Sequence, residues 1–338
     1  MPPTPAPLPS RLPDAFTVAD ALAAGAPPGR LRARDLEIPF RGVRRRRRSR
    51  DARTEFAPDL SPGAQEAQQL LCEIMQRVRD FALILPAGAF FSHATAAVVW
   101  GLPLPLRILR QVARALDVAV TDARRGSKAA GIAGHQLRSA MTQTRVRDGI
   151  PVTSPATTWA LLGPLLSVDE LIEVGDAVVH IPRRYGMQRG TPADALATIT
   201  QLIAATEAGR RAGAKKLRAA LQDIRVGSAS PGETRLRLAL VRAGLPEPEL
   251  DVDVYAADGT PIGFTELGYP RWRVLIEYEG DHHRVDRSQW NRDIEKHAAC
   301  VDADWDPVRV TLQTLAAGVA VARVRAALVR GGWSPDAA

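Results

Sequence analysis

The chain has 338 residues, of which 46% are hydrophobic and 24% charged, and its formal net charge is +8. This composition predicts a globular protein of two or three domains. Because no stretch approaches ~18 consecutive apolar residues, no membrane span is expected. Cys72 and Cys300, the two cysteines, argue against a disulfide framework and exclude a cysteine-rich zinc site, so a cytoplasmic location is expected. The basic charge favours polyanionic partners.

The first part of the chain combines a proline-rich lead, two short predicted helices and a run of arginines. Residues 1–13 predict a disordered lead and residues 14–55 a winged-helix-like DNA-binding unit, in which Thr17 caps a helix ending at Gly25. The arginine run is either a flexible, solvated linker or a wing that contacts DNA phosphates without reading sequence. The candidate DNA-binding residues are Arg41, Arg44, Arg45, Arg46, Arg47, Arg48 and Arg50.

The middle of the chain predicts a second domain over residues 64–205, followed by a linker helix over residues 206–227. Residues 192–225 are predicted to be helical because they are rich in alanine. His93 and His135 lack acidic or cysteine neighbours at ligand spacing, which favours structural roles over metal binding.

Residues 228–338 predict a third domain with elements in the order α-β-β-β-α-β-α. Ser230 caps the first helix, with proline at its first position and Glu233 at its third. The other predicted elements are strands over Val252–Tyr255, Ile262–Leu267, Arg273–Tyr278 and Pro307–Thr311, a helix from about Arg287 to Ala303, and a closing helix over Leu312–Arg330.

Two carboxylates follow the apolar strand residues Val274–Ile276 in this domain. Side chains alternate along a strand, so Glu277 and Glu279 should project from the same face. Two adjacent acids at the end of an apolar strand are costly unless a cation neutralises them. A divalent metal would do so; pairing with nearby arginines is the alternative.

Six segments of the last 110 or so residues occur in the order seen in a known nuclease superfamily. They are Ser230-Pro-Gly-Glu233, Ala243-Gly-Leu-Pro246, Glu266-Leu-Gly-Tyr-Pro270, Ile276-Glu-Tyr-Glu-Gly-Asp-His-His283, Asp293 with Lys296, and Val308-Arg-Val-Thr311. This region resembles the PD-(D/E)xK superfamily and, more closely, endonucleases related to the very-short-patch repair endonuclease. The resemblance implies a restriction-endonuclease-like α-β-β-β-α-β core and DNA hydrolysis that depends on Mg²⁺ (or Mn²⁺).

The front of the chain is similar to AbiEi-type antitoxin-like proteins. The segments that carry this resemblance are Phe16–Gly25, Ser92–Ala97, Gly101–Pro105 and Pro151–Thr158. It implies a DNA-binding winged helix, a helical antitoxin-like region, and a cognate toxin or defence-system partner. The expected fold is therefore α/β in class, α+β overall, with DNA as the principal partner.

The nuclease resemblance also implies roles for individual residues. Glu266 and Glu277 would hold the metal, with Glu279 as a bridging or supporting ligand at a position where well-known members have lysine. His283, or the adjacent His282, would protonate the leaving oxygen or orient water.

Two further elements of the resemblance have alternative interpretations. Glu233 would complete the catalytic site, but it is equally consistent with a capping-box partner of Ser230. Asp293 and Lys296, one helical turn apart, are more typical of a surface pair, or of residues behind the site, than of direct catalysis.

The chain departs from the nuclease pattern at two positions. The family generally has aspartate where Glu266 and Glu279 stand, and each replacement lengthens the side chain by about 1.5 Å. Since an error of about 1 Å can lower a rate roughly 10²-fold, either the site is repacked or the activity is weak. The alternative function is thus an inactive nuclease fold that acts as a DNA-binding, antitoxin-like transcriptional regulator. RNA cleavage is disfavoured because only 5% of residues are aromatic.

Overall fold

The computed structural model describes residues 5–47, 60–122, 126–279 and 287–335. The fold is mixed α/β, with helices and four sheets in the described residues. The chain divides into two compact units: unit 1 comprises residues 1–56 and 62–158, and unit 2 comprises residues 57–61 and 159–338. No helix within the described residues is long and apolar enough to cross a membrane.

Unit 1 begins with a small antiparallel sheet. Its elements are β1 (Ala15–Thr17), α1 (Val18–Ala23), a 3₁₀ turn (Arg30–Arg32), β2 (Leu36–Glu37) and β3 (Val43–Arg46), with strand order β1-β3-β2. Thr17 caps α1 as predicted, accepting a hydrogen bond from the Asp20 N–H. The lead predicted to be disordered contributes Leu8 and Leu12 to the core around Phe16. These two leucines bury apolar surface, which outweighs the disorder expected from a proline-rich composition.

The rest of unit 1 surrounds a five-stranded sheet of order β6-β5-β4-β8-β7. Strand β5 runs parallel to β6, β4 runs parallel to β8, and the remaining pairs are antiparallel. The elements are α2 (Pro62–Ala82), β4 (Phe90–Phe91), α3 (His93–Trp100), α4 (Leu106–Arg114), β5 (Leu116–Thr121), β6 (Ile132–Leu137), a 3₁₀ turn (Ser139–Met141), β7 (Thr144–Arg147), β8 (Ile150–Thr153) and α5 (Pro155–Leu161), the last crossing the division.

Unit 2 opens with helices and a two-stranded hairpin. The elements are α6 (Val168–Val179), β9 (Arg183–Tyr185), β10 (Gln188–Arg189), a 3₁₀ turn (Pro192–Asp194), α7 (Ile199–Glu207) and α8 (Ala214–Asp223). The helix predicted over residues 192–225 is thus interrupted. Between α7 and α8 the backbone leaves the helical conformation, and Gly213, with φ of +77°, is the residue from which α8 begins.

The remainder of unit 2 follows the predicted order of elements. They are α9 (Pro231–Arg242), β11 (Glu249–Tyr255), β12 (Pro261–Tyr269), a 3₁₀ turn (Pro270–Trp272), β13 (Val274–Glu279), α10 (Arg287–Asp302), β14 (Asp306–Thr311), α11 (Leu312–Ala316) and α12 (Val319–Arg330). Strands β11, β12 and β13 are antiparallel and β14 is parallel to β13. The predicted closing helix is divided in two at Gly318, whose φ is +70°.

This four-stranded sheet has helices on both sides. Ile276 of β13 packs in a buried cluster with Leu236 of α9 and Val324 of α12. Leu275, next along β13, packs instead with Val254 and Cys300 of α10. Because neighbouring strand residues point to opposite faces, β13 is covered on both sides, and its polar residues occur only at its carboxyl end.

A buried ion pair joins α9 to α6 inside unit 2. Arg237 and Asp176 are each 1% exposed and lie 3.0 Å apart. Asp176 also accepts hydrogen bonds from the Thr234 hydroxyl and the Arg225 N–H. These bonds satisfy both carboxylate oxygens, the condition under which a buried charge is tolerated. They fix the helix that carries Glu233 at its start.

Candidate active site

The candidate site lies where β12 and β13 stop pairing. The last paired residues are Leu267 and Ile276. Beyond them, the Thr265 hydroxyl donates to the Ile276 carbonyl at 2.9 Å, and the Tyr278 N–H donates to Glu266 Oε2 at 3.1 Å. Two side chains of β12 therefore form hydrogen bonds with backbone groups of β13 beyond the last paired residues. The Glu266 carboxylate is fixed in the opening between the strands.

Glu277 contributes a second carboxylate beside this opening. Its Oε1 atom lies 2.5 Å from Nζ of Lys296 on α10, and its Oε2 atom lies 4.0 Å from Nε of Arg309 on β14. Glu277 and Lys296 are 23% and 26% exposed, so the pair is shielded from solvent but open to a ligand. An acid and a lysine from different elements thus meet at the edge of the sheet.

Glu279 lies farther along β13. Its carboxylate is 3.4 Å from Nη1 of Arg309, the same guanidinium that Glu277 approaches. The two glutamates therefore share a face, as their spacing predicts. Glu279 is 43% exposed, so it lies at the rim.

Glu233 enters from the first turn of α9. Its N–H donates to the Ser230 hydroxyl, and its carboxylate accepts from the Ala229 N–H at 2.7 Å. The cap is therefore formed, with the carboxylate bonded to Ala229. A Cβ added to Gly232 would lie 2.1 Å from Cε1 of Tyr278, so the absence of a side chain lets α9 approach β13 closely. This approach brings Glu233 near Glu266.

Two of these acids have raised pKa values. Burial and the neighbouring charge of Glu233, followed by that of Glu277, raise the pKa of Glu266 to about 7, although the Tyr278 N–H and Lys296 act in the opposite direction. Burial also raises the pKa of Glu233, against the hydrogen bonds from Ala229 and Ser230. Burial therefore disfavours ionisation of both carboxyls, and at Glu266 the neighbouring acids add to this effect. Perturbed acids of this kind are typical of functional sites, although structural networks also produce them.

The predicted site is assembled in part. Glu233, Glu266 and Glu277 interact with one another or with Lys296, whereas Glu279 pairs with Arg309. Among the described residues, the acids of unit 2 do not form a group of three whose ligand atoms all lie within 4.8 Å. His283 and its alternative His282 lie outside the described residues, and Asp293 is described only as part of α10.

Within the described residues, the N-terminal arginines fall into two groups. Arg44 donates to the Leu31 carbonyl, Arg46 donates to the Leu12 carbonyl, and Arg45 pairs with Glu37 and Asp80 at 2.6 and 2.5 Å. These three are engaged by the protein. Arg41 and Arg47 are exposed. Arg48 and Arg50 lie outside the described residues.

Two features were missed by sequence reasoning. Lys296 was expected to pair with Asp293 or to lie behind the site, whereas its ammonium contacts Glu277 directly. The available signal was its place on the helix predicted between the third and fourth strands. Asp117, which was not singled out, has a carboxylate oxygen within 4.8 Å of a ring nitrogen of His93 and of His135, and it supplies the acidic neighbour that these histidines lack in sequence.

Comparison of the chain with protein-family models, curated proteins and solved structures gives no match.

Proposed function

We propose that unit 2 is a metal-dependent DNA endonuclease of the PD-(D/E)xK type, built on the α-β-β-β-α-β elements of residues 228–338. One observation carries the proposal: the Glu266 carboxylate lies where β12 and β13 separate, and beside it Glu277 forms an ion pair with Lys296. Two acids and a lysine at the open end of two strands provide the charges needed to hold a metal ion and a phosphate. Of the two Asp-to-Glu departures from the resembled family, the one at Glu266 would be accommodated by the hydrogen bond that its carboxylate accepts from the Tyr278 N–H.

The donor set suits Mg²⁺ or Mn²⁺. All the candidate ligands are carboxylate oxygens, and a divalent cation would favour the ionised forms of Glu266 and Glu233, whose pKa values are raised mainly by burial. Glu266 and Glu277 would hold the ion, with Glu279 or Glu233 as supporting ligands. When bound, the ion would polarise the phosphoryl oxygen and lower the pKa of a water molecule.

The remaining groups position the substrate. Lys296 takes the role of the lysine that the resembled nucleases carry at the position of Glu279, from α10 instead of β13. Its ammonium, held by Glu277, would bind a phosphate oxygen or orient the attacking water. His283 is proposed to protonate the leaving oxygen.

DNA would also bind to the front of the chain. The region of residues 14–55, which contains the small sheet of β1, β3 and β2, is proposed to act as the winged-helix-like element of an AbiEi-type region. Arg41 and Arg47, with Arg48 and Arg50, would contact phosphates, and the resulting affinity should fall with salt. Because Arg44, Arg45 and Arg46 contact the protein, we expect their main contribution to be structural. A cognate toxin or defence-system partner and a cytoplasmic setting remain part of this proposal.

The test is nicking of supercoiled plasmid in Mg²⁺ or Mn²⁺ by wild type, Glu277→Gln and Glu295→Gln. Glu295 is an exposed residue of α10, so its variant removes the same charge close to the site without touching it. We expect wild type and Glu295→Gln to nick equally and Glu277→Gln to lose at least about 10²-fold in rate. Equal rates for all three proteins would refute the assignment.

A second function is favoured by the internal neutralisation of the acids. Lys296 and Arg309 pair with Glu277 and Glu279, so these charges are balanced without an ion. A DNA-binding, antitoxin-like regulator that keeps a nuclease fold would have this arrangement. It predicts salt-sensitive DNA binding, measured by fluorescence anisotropy, that is unaffected by Mg²⁺ and accompanied by no nicking.

A further inference from the structure

A second cluster of potential ligands lies in unit 1, beside the five-stranded sheet. His93, Asp117 and His135 each offer one ligand atom, and these atoms all lie within 4.8 Å of one another. The three residues belong to the start of α3, to β5 and to β6, and each is partly buried. They come together because β5 and β6 pair in parallel, with Asp117 opposite Ala133 and Ala119 opposite His135.

The Asp117 carboxylate is held in a fixed orientation. Its Oδ2 atom accepts hydrogen bonds from the Thr95 N–H and hydroxyl at 3.2 and 3.3 Å, and the Asp117 N–H donates to Thr95 Oγ1 at 2.7 Å. Its Oδ1 atom lies 2.8 Å from Nε2 of His135. The Oδ2 atom is therefore hydrogen-bonded to α3, while the Oδ1 atom is within hydrogen-bond distance of the His135 imidazole. Metal sites use such supporting hydrogen bonds to orient a ligating carboxylate.

His93 is held in an uncommon backbone conformation. Its φ of +47° places it in the left-handed region, which residues with a side chain seldom occupy. The Ser92 hydroxyl lies 3.0 Å from its Nδ1 atom, and its ring centroid lies 4.1 Å from that of His135, with the planes tilted by 31°. Backbone strain of this kind occurs preferentially at functional sites.

We propose that His93, Asp117 and His135 bind one divalent transition-metal ion of the zinc class. Two imidazole nitrogens and one carboxylate oxygen are a donor set for Zn²⁺ or Fe²⁺, whereas Mg²⁺ prefers oxygen alone. Tetrahedral zinc holds such ligand atoms roughly 3.3 Å apart. The ligand atoms therefore have to approach one another by about 1.5 Å at most from the 4.8 Å bound, while His135 Nε2 and Asp117 Oδ1, now 2.8 Å apart, have to separate slightly. The ion would replace the hydrogen bond between His135 and Asp117.

Such an ion would link three elements that are far apart in the sequence. It would join the start of α3 to two strands, and so it should stabilise unit 1 in proportion to its binding. Three protein ligands would leave the fourth tetrahedral position to water. The site is independent of the acids in unit 2 because its residues, its donor atoms and its preferred ion all differ.

The test is metal titration of the full-length, chelator-stripped protein. Co²⁺, which gives visible absorption bands in nitrogen- and oxygen-ligated sites, reports coordination, and competition with a chromophoric chelator gives the Zn²⁺ affinity. We expect one ion per chain and an affinity that falls at least about tenfold in Asp117→Asn and in His135→Gln. Thermal unfolding should show Zn²⁺ stabilising the wild type but not these variants.

Two controls isolate the cluster. Asp148→Asn removes an exposed aspartate of unit 1 that also has positive φ, a conformation that asparagine tolerates, and it should bind Zn²⁺ like wild type. The double variant His282→Gln/His283→Gln removes the adjacent histidine pair and should also retain Zn²⁺. An absence of Co²⁺ bands in the wild type, wild-type affinity in Asp117→Asn, or loss of Zn²⁺ only in the double variant would overturn the proposal. His93 would then only stack on His135, and His135 would only be hydrogen-bonded to Asp117.

Discussion

The raised pKa of Glu266 makes the stability of unit 2 depend on pH. The pKa of this carboxyl rises from 4.5 to about 7 because of burial and the nearby Glu233 and Glu277. Between these values the folded protein retains a proton that the unfolded chain releases. The free energy of unfolding therefore falls as pH rises from about 4.5 to about 7. Since each tenfold change in an acid dissociation constant corresponds to about 1.4 kcal/mol, the full penalty above pH 7 is about 3 kcal/mol.

Replacing Glu266 by glutamine removes this penalty. The amide oxygen can still accept the Tyr278 N–H, which now donates to Glu266 Oε2. We therefore expect Glu266→Gln to be about 2–3 kcal/mol more stable than wild type near pH 8 and about equally stable near pH 4.5. Urea unfolding followed by tryptophan fluorescence at several pH values measures the difference.

Two comparisons make this measurement decisive. Lys296 lowers the pKa of Glu266, so Lys296→Met should raise this pKa further. The loss of stability with rising pH should then extend to a higher pH than in wild type. Glu295→Gln, on the exposed side of α10, should change stability little at any pH. A difference between wild type and Glu266→Gln that does not vary with pH would refute the electrostatic account of the site.

Two further perturbations test the packing that positions these acids. Arg237→Met leaves Asp176 buried without its partner and should cost about 3–5 kcal/mol in urea unfolding. Arg242→Met breaks an exposed ion pair whose atoms lie 2.6 Å apart and should lower the free energy of unfolding by under about 1 kcal/mol. Equal losses of stability in the two arginine variants would contradict the importance of burial. Gly232→Ala places a methyl group against the Tyr278 ring, so it should lower stability by about 1–3 kcal/mol and lower nicking. Stabilisation by alanine, as expected for an exposed helix position, would show that the close approach is unimportant.

The elements of unit 2 could be predicted because local patterns define them. An apolar run at Val274–Ile276 bounded by a turn predicts a buried strand, and Ser230-Pro-Gly-Glu233 predicts a helix start; both occur at those places. The interruption at Gly318 was missed because a single glycine within a helical pattern does not by itself require a break. Tertiary packing decides such cases.

The chemistry of the sites was less predictable because it depends on register. The spacing of Glu277 and Glu279 showed that they share a face, but only the pairing of β13 with β14 brings Arg309 to both. The meeting of His93 with His135 likewise depends on β5 and β6 being parallel neighbours. Sequence spacing detects ligands on one helix or strand and misses those joined by a sheet.

Plasmid nicking over a range of pH tests the nuclease proposal most directly. We expect wild type to nick supercoiled DNA in Mg²⁺ or Mn²⁺ and not in chelator. At ion concentrations below saturation the rate should rise with pH through about 7, because the metal-free Glu266 carboxyl, whose pKa is raised to about 7, must lose its proton to bind the ion. Glu277→Gln should be inactive throughout. Nicking that persists in chelator, or no nicking at any pH with either ion while DNA binding is intact, would contradict the account.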